Sequence, residues 1–153
     1  MGQGAVSLTG NDTTLIDARI ITDLGDGDVG TLEFPDDLVG IKVGKNGNTL
    51  YSFNASGLRV VLTLRVMAGT ADDKYLNSRL AQQINDFPSF VLMSGEFIKR
   101  VGDGAGNISS VTYVCQGGVV QKVPVSKENV EGNNDQAIAE WKIVFGNGGR
   151  AIV

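Results

Sequence analysis

Between residues 58 and 67 the chain alternates strictly, with Leu58, Val60, Leu62, Leu64 and Val66 on one side of an extended backbone and Arg59, Thr63 and Arg65 among those on the other. A period of two cannot be laid on a helix, so this segment is a half-buried strand and the fold must bring a core to its apolar face. Residues 137–145 repeat the pattern: Ala139, Trp141, Ile143 and Phe145 oppose Ile138, Glu140, Lys142 and Val144. Shorter extended runs are expected at 12–24, 29–34, 38–43, 49–53, 89–101, 108–116 and 119–125. They are punctuated by Gly25-Asp26-Gly27, by Gly44 to Asn48, by the glycines at 102, 104 and 106, and by a bulge signal at Gly117-Gly118. Glycine makes up 21 of 153 residues, roughly twice its ~7% share of average proteins, and suits a chain that turns often.

The period changes once. Thr70 can cap a helix whose first turn holds Asp72 and Asp73, and Leu76, Leu80, Ile84 and Phe87 follow at helical spacing until Pro88 stops it. Residues 127–136 are polar and read as a loop. The expected fold is mainly β: a β-sandwich or barrel with one flanking α-helix, as a single domain over 1–153. A domain with so many strands leaves sheet edges, and three prolines are few to blunt them.

The chemistry is defined more by what is missing. There is no histidine, hence no ordinary general base and no imidazole metal ligand. The one cysteine, Cys115, lies in an apolar stretch and reads as a small packed hydrophobe. Gly102, Gly104 and Gly106 have the wrong spacing for a dinucleotide loop, and Gly40, Gly44 and Lys45 fall one residue short of a phosphate loop. Asp23, Asp26 and Asp28 do not match a calcium loop. No cofactor is expected, and the chain reads as a non-enzyme. The first residues carry no basic-then-apolar leader and no stretch is apolar enough to span a bilayer, so a soluble cytoplasmic protein is expected.

The net charge is -4, unsuited to gripping nucleic acid through its phosphates. Residues 12–37 hold eight acids against Arg19 alone, and the rest of the chain is slightly basic. Such asymmetry is either a solvated acidic face or a means for copies to attract head to tail.

Several stretches are familiar. They are the opening Met1-Gly2-Gln3-Gly4 through Asn11-Asp12-Thr13, the turns Asp26-Gly27-Asp28-Val29 and Gly44-Lys45-Asn46-Gly47-Asn48, and the run Asp72-Asp73-Lys74-Tyr75-Leu76-Asn77 to Ala81-Gln82-Gln83. With Phe90 to Met93 and Gly95 to Arg100 before the Gly102-Asp103-Gly104 turn, they resemble tail tube proteins of contractile-tailed bacteriophages and related prophages. The resemblance implies subunits that close into a shared hexameric β-barrel ring, with rings stacked into the inner tube through which DNA passes on ejection. It implies tail sheath, baseplate and tail terminator proteins as partners, and a place in the virion tail after assembly in the host cytoplasm. Six copies would carry about -24 charges, a conduit that repels its cargo.

On that reading the polar alternates Ser94, Glu96, Ser110 and Thr112 are candidates for the lumen. Asp26, Asp28, Asp36, Asp37, Lys45 and Lys127 are candidates for ring stacking. Arg59 and Arg65 would attract DNA in a bore and are assigned to an intersubunit or sheath contact. The alternatives are a tube of a contractile injection or secretion device, which would pass protein, and a β-sandwich ligand-binding module, for which Trp141 looks too core-facing.

Overall fold

The computed structural model describes residues 5–6, 13–22, 30–102, 105–124 and 138–152. The strands in chain order are Ala5–Val6 (β1), Thr13–Ile16 (β2), Arg19–Ile20 (β3), Gly30–Glu33 (β4), Val39–Val43 (β5), Thr49–Phe53 (β6), Val60–Met67 (β7), Met93–Gly102 (β8), Ile108–Lys122 (β9) and Ile138–Ile152 (β10). One α-helix, Ala71–Asn85 (α1), follows β7, and short 3-10 turns occupy Ala55–Leu58 and Phe87–Ser89. The mainly-β fold with one helix is as the alternation indicated.

The two clearest alternating segments become neighbours. β7 and β10 run antiparallel, with Val66 opposite Ala139, Leu64 opposite Trp141, Leu62 opposite Ile143 and Val60 opposite Phe145, and all eight side chains are buried. Each row alone would leave an oily face in water. Joined, they gain ~1.5–3 kcal/mol for each large side chain removed from solvent. The sheet runs β3-β2-β8-β9-β10-β7-β4, with β1 pairing farther along β8. It curls over itself: a Cβ built on Gly30 of β4 would lie 3.5 Å from both Leu64 and Phe97 of β8, and the ring of Phe34 stands 6.4 Å from that of Tyr113 in β9.

The helix is fastened by its acids. Asp72, 2% exposed, accepts from Arg19 Nε at 3.1 Å and from the Thr22 amide at 2.8 Å. Asp73 accepts the Gly69 amide with one oxygen and the Trp141 indole N–H with the other, both at 2.9 Å. Thr70 stands at the N-cap position, but its hydroxyl donates back to the Met67 carbonyl at 2.7 Å, so Asp73 supplies the local acceptor instead. Leu76 and Leu80 reach the core. The expected stripe fails beyond them, since Ile84 is 70% exposed and Phe87 58%. At the same end Gln83 donates to the Val120 carbonyl and accepts the Val120 amide, both at 2.9 Å.

Other expectations need correction. Residues 12–24 are not one strand: β2 and β3 form a tight hairpin whose two turn residues, Asp17 and Ala18, have φ of 52° and 65°. Left-handed backbone without glycine or asparagine is uncommon. Here the Asp17 carboxylate holds the turn by accepting from the Ser94 amide and the Tyr75 hydroxyl, both at 2.9 Å, and by pairing with Arg79 at 3.2 Å. β10 does not end at Phe145 but continues through four glycine-rich positions to Ile152, and Gly148 lies where a Cβ would strike Val60. The strand expected from residue 89 starts only at Met93. The Gly117 bulge is present, with φ of 70° and a register shift in β8 opposite it. The turn at 25–27 and the loop at 127–136 lie outside the described residues.

One hairpin stands apart. Among the described residues β5 and β6 pair only with each other, closed by a turn in which the Gly44 amide donates to the Asn48 carbonyl and Gly47 has φ of 78°. Their base is pinned where the Asn54 amide donates to the Leu38 carbonyl and Gly57 tucks beneath Leu38, a Cβ there lying 2.5 Å from its Cα.

Candidate assembly surfaces

Register decides the proposed lumen set. On β8 and β9, Glu96 lies opposite Val114, Ile98 opposite Thr112 and Arg100 opposite Ser110. Alternation therefore puts Ser94, Glu96, Ser110 and Thr112 on one face, while Phe97 and Tyr113 point the other way, toward Phe34 and the core. The structure brings all four candidates together. Ser94 is exposed and the other three are half-buried. Arg100 shares this face, which leaves it with one acid and one base instead of a purely acidic or neutral surface.

The stacking candidates divide. Asp36 and Asp37 precede the β5–β6 hairpin and Lys45 sits in its turn, so three of them bracket one projecting element. Asp26, Asp28 and Lys127 lie outside the described residues. The arginines are engaged within the chain: Arg59 pairs with Asp36 at 2.9 Å and Arg65 with Glu140 at 3.5 Å. Both pairs sit at the surface, where such contacts contribute ~0–1 kcal/mol and remain available for rearrangement.

What residue-by-residue reading missed is apolar. Across the hairpin, Val39 faces Phe53, Ile41 faces Tyr51 and Val43 faces Thr49, which puts five apolar side chains on one side. They are 42–68% exposed, with Ile41, Tyr51 and Phe53 at about two-thirds. The clue was present in the alternation of 39–43 and 51–53, which resembles that of the core strands. A second apolar surface follows the end of α1, where Ile84, Phe87, Val91 and Leu92 are all more than half exposed. It borders an open groove of about 220 Å³ lined by Gln82, Asn85, Asp86, Ser89, Phe90 and Val91. Arg79 spans this segment, donating to the Val91 carbonyl and stacking over the Phe90 ring at 4.6 Å.

Cys115 is 2% exposed, and burial pushes its thiol up to about 11 from 9.0. Among the described residues no three carboxylates or thiols converge as metal ligands, and no helix is long and apolar enough to cross a membrane. In comparisons with known proteins, the chain matches no protein-family model and no curated sequence.

Proposed function

We propose that this chain is the structural subunit of a phage tail tube, forming hexameric rings that stack into the conduit for DNA. The observation that carries the reading is an unfinished sheet. β10 pairs with β7 only as far as Phe145 opposite Val60, yet it continues to Ile152. Along that distal half β9 covers one margin, and no strand covers the other among the described residues. A row of free backbone donors and acceptors on a regular strand invites a strand from another chain, and closure around a ring removes such edges altogether.

The resemblance in sequence supports the same reading, as does the face of β8 and β9 that collects Ser94, Glu96, Ser110 and Thr112, with Ile98 and Val114 also on it. Tail sheath, baseplate and terminator proteins would be its partners, the virion tail its location, and DNA would pass without specific binding. One observation favours the alternative of a protein-conducting tube in an injection or secretion device: Arg100, on the same face of β8 as Glu96, would make such a bore less repellent to phosphate. A glycan-binding module could not use Trp141, which is 1% exposed, and would have to rest on Tyr51 and Phe53 of the hairpin.

Negative-stain microscopy with light scattering on the purified full chain tests the proposal. Rings or tubes of uniform bore are expected at high protein concentration or on addition of baseplate-side initiators. A strict monomer under all these conditions overturns it. Recovery of protected DNA or of protein from filled tubes separates the two cargoes.

A further inference from the structure

Two exposed apolar surfaces on one chain, neither covered by the described residues, raise the question of whether they cover each other between copies. Tyr51 and Phe53 are 67% and 68% exposed. With rings of ~150–250 Å² apiece, the hairpin face reaches the size at which exposed patches mark interaction sites. Its base is held by the Asn54–Leu38 hydrogen bond and by Gly57, so it is presented at the end of a braced ribbon.

Charge identifies the occupant. Residues 38–53 carry Lys42 and Lys45 and no acid, with Lys45 in the turn at the tip. Lys45 therefore gives the end of the apolar face a positive charge, which favours an acidic acceptor. The end of α1 has the opposite character. Its last turn holds no basic residue to offset the partial negative charge of its free carbonyls, and Asp86 sits at its C-cap. Arg79, one turn earlier in the helix, is committed to Asp17 and the Val91 carbonyl. An apolar face with a positive tip and an apolar face with a negative end are complementary in both respects.

We infer that the apolar face of the β5–β6 hairpin seats on the α1 end of a second copy of this chain, Ile41, Tyr51 and Phe53 covering Ile84, Phe87 and Val91, with Lys45 against Asp86 and the helix C-terminus. The two surfaces differ, so the contact is heterologous and each copy offers both a donor and an acceptor, which generates a closed ring or an open stack. This deepens the tube reading by naming the surfaces that join copies in addition to the open sheet margin.

The test mixes two full-length variants, Ile41→Cys and Phe87→Cys, under mild oxidation. The native Cys115 is buried and does not compete. Disulfide-linked heterodimers should exceed either homodimer at least tenfold. Dominant Ile41→Cys homodimers would show twofold hairpin pairing and overturn the inference, and absence of any cross-link above that of the wild-type chain would do the same. Charge provides a second readout. Lys45→Glu and Asp86→Lys should each lower the heterodimer yield several-fold at low salt, and yield should recover when a chain carrying Ile41→Cys with Lys45→Glu meets one carrying Phe87→Cys with Asp86→Lys. Failure of that pair to recover counts against the assigned register. Wild-type tubes without the cross-link would sink this contact and leave the tube reading standing; the cross-link without tubes under any condition would do the reverse.

Discussion

β7 with β10 and β5 with β6 are the same device used twice. Each pair is antiparallel, each alternates, and each gathers its apolar residues on one side. On the first pair Leu64, Trp141, Ile143 and Phe145 are at most 1% exposed; on the second, Ile41, Tyr51 and Phe53 are about two-thirds exposed. The difference lies in what stands opposite. α1 and the curled sheet cover the β7–β10 face with Leu76, Leu80, Ile16 and Met93, whereas nothing in the described chain covers the hairpin. Alternation therefore announces that a face needs a cover without saying which molecule provides it.

The sharpest way to break this contrast is to remove the centre of the covered face. Trp141→Ala should cost ~3–5 kcal/mol in chemical denaturation, because it opens a large cavity and leaves Asp73 without its indole donor. A loss under 1 kcal/mol would show that the core closes around the gap. Next comes overfilling. A Cβ on Gly118 would stand 2.5 Å from the Phe145 ring and 3.0 Å from the Met93 carbonyl, so Gly118→Val should cost ~1–3 kcal/mol or more in the same assay.

A milder effect follows from Cys115. Its thiol ionises near 9.0 when exposed and near 11 when folded, so the folded state retains the proton longer. The associated stability is fully present below pH 9 and declines as pH rises toward 11, by on the order of 2 kcal/mol. Denaturation midpoints measured from pH 7 to 11 should fall accordingly. Cys115→Ala should flatten the curve up to pH 10. Above it a slope should persist, because burial and the hydrogen bond to Asp17 raise Tyr75 above 10.0 in the same direction.

The smallest effect on the isolated subunit is expected at the uncovered face. Tyr51→Ser should change its unfolding free energy by no more than ~0.5 kcal/mol, since the ring is already in water. A larger loss would mean that the hairpin packs on its own chain in solution, and the contrast between the two ribbons would disappear.

Much of the architecture was legible because it rests on local pattern. The face of β7, the helix, the β5–β6 hairpin and the Gly117 bulge all follow from spacing, whereas the common face of Ser94, Glu96, Ser110 and Thr112 needs the β8–β9 register as well. What escaped depends on distant partners. The Asp17-Ala18 turn has no local turn signature because its stabilising groups, Tyr75, Arg79 and Ser94, come from α1 and β8. The alternation ends at Phe145, while in the fold the strand runs on and Gly148 is what lets β10 pass close to Val60. Ile84 and Phe87 keep helical spacing, yet the core ends one turn before them. Arg59 and Arg65 find Asp36 and Glu140 across 23 and 75 positions, a pairing that no spacing rule anticipates.

Gln83 carries one further implication. Its side-chain amide imitates a main-chain peptide at Val120, just past the point where β8 begins at Met93 opposite Gly118. A single residue of the helix thus occupies the flank of β9 at Val120, while beyond Phe145 no strand among the described residues pairs with the far flank of β10. On the proposed reading, strand addition by sister molecules would have a preferred side, and a polymer built this way would inherit a polarity set in part by one glutamine.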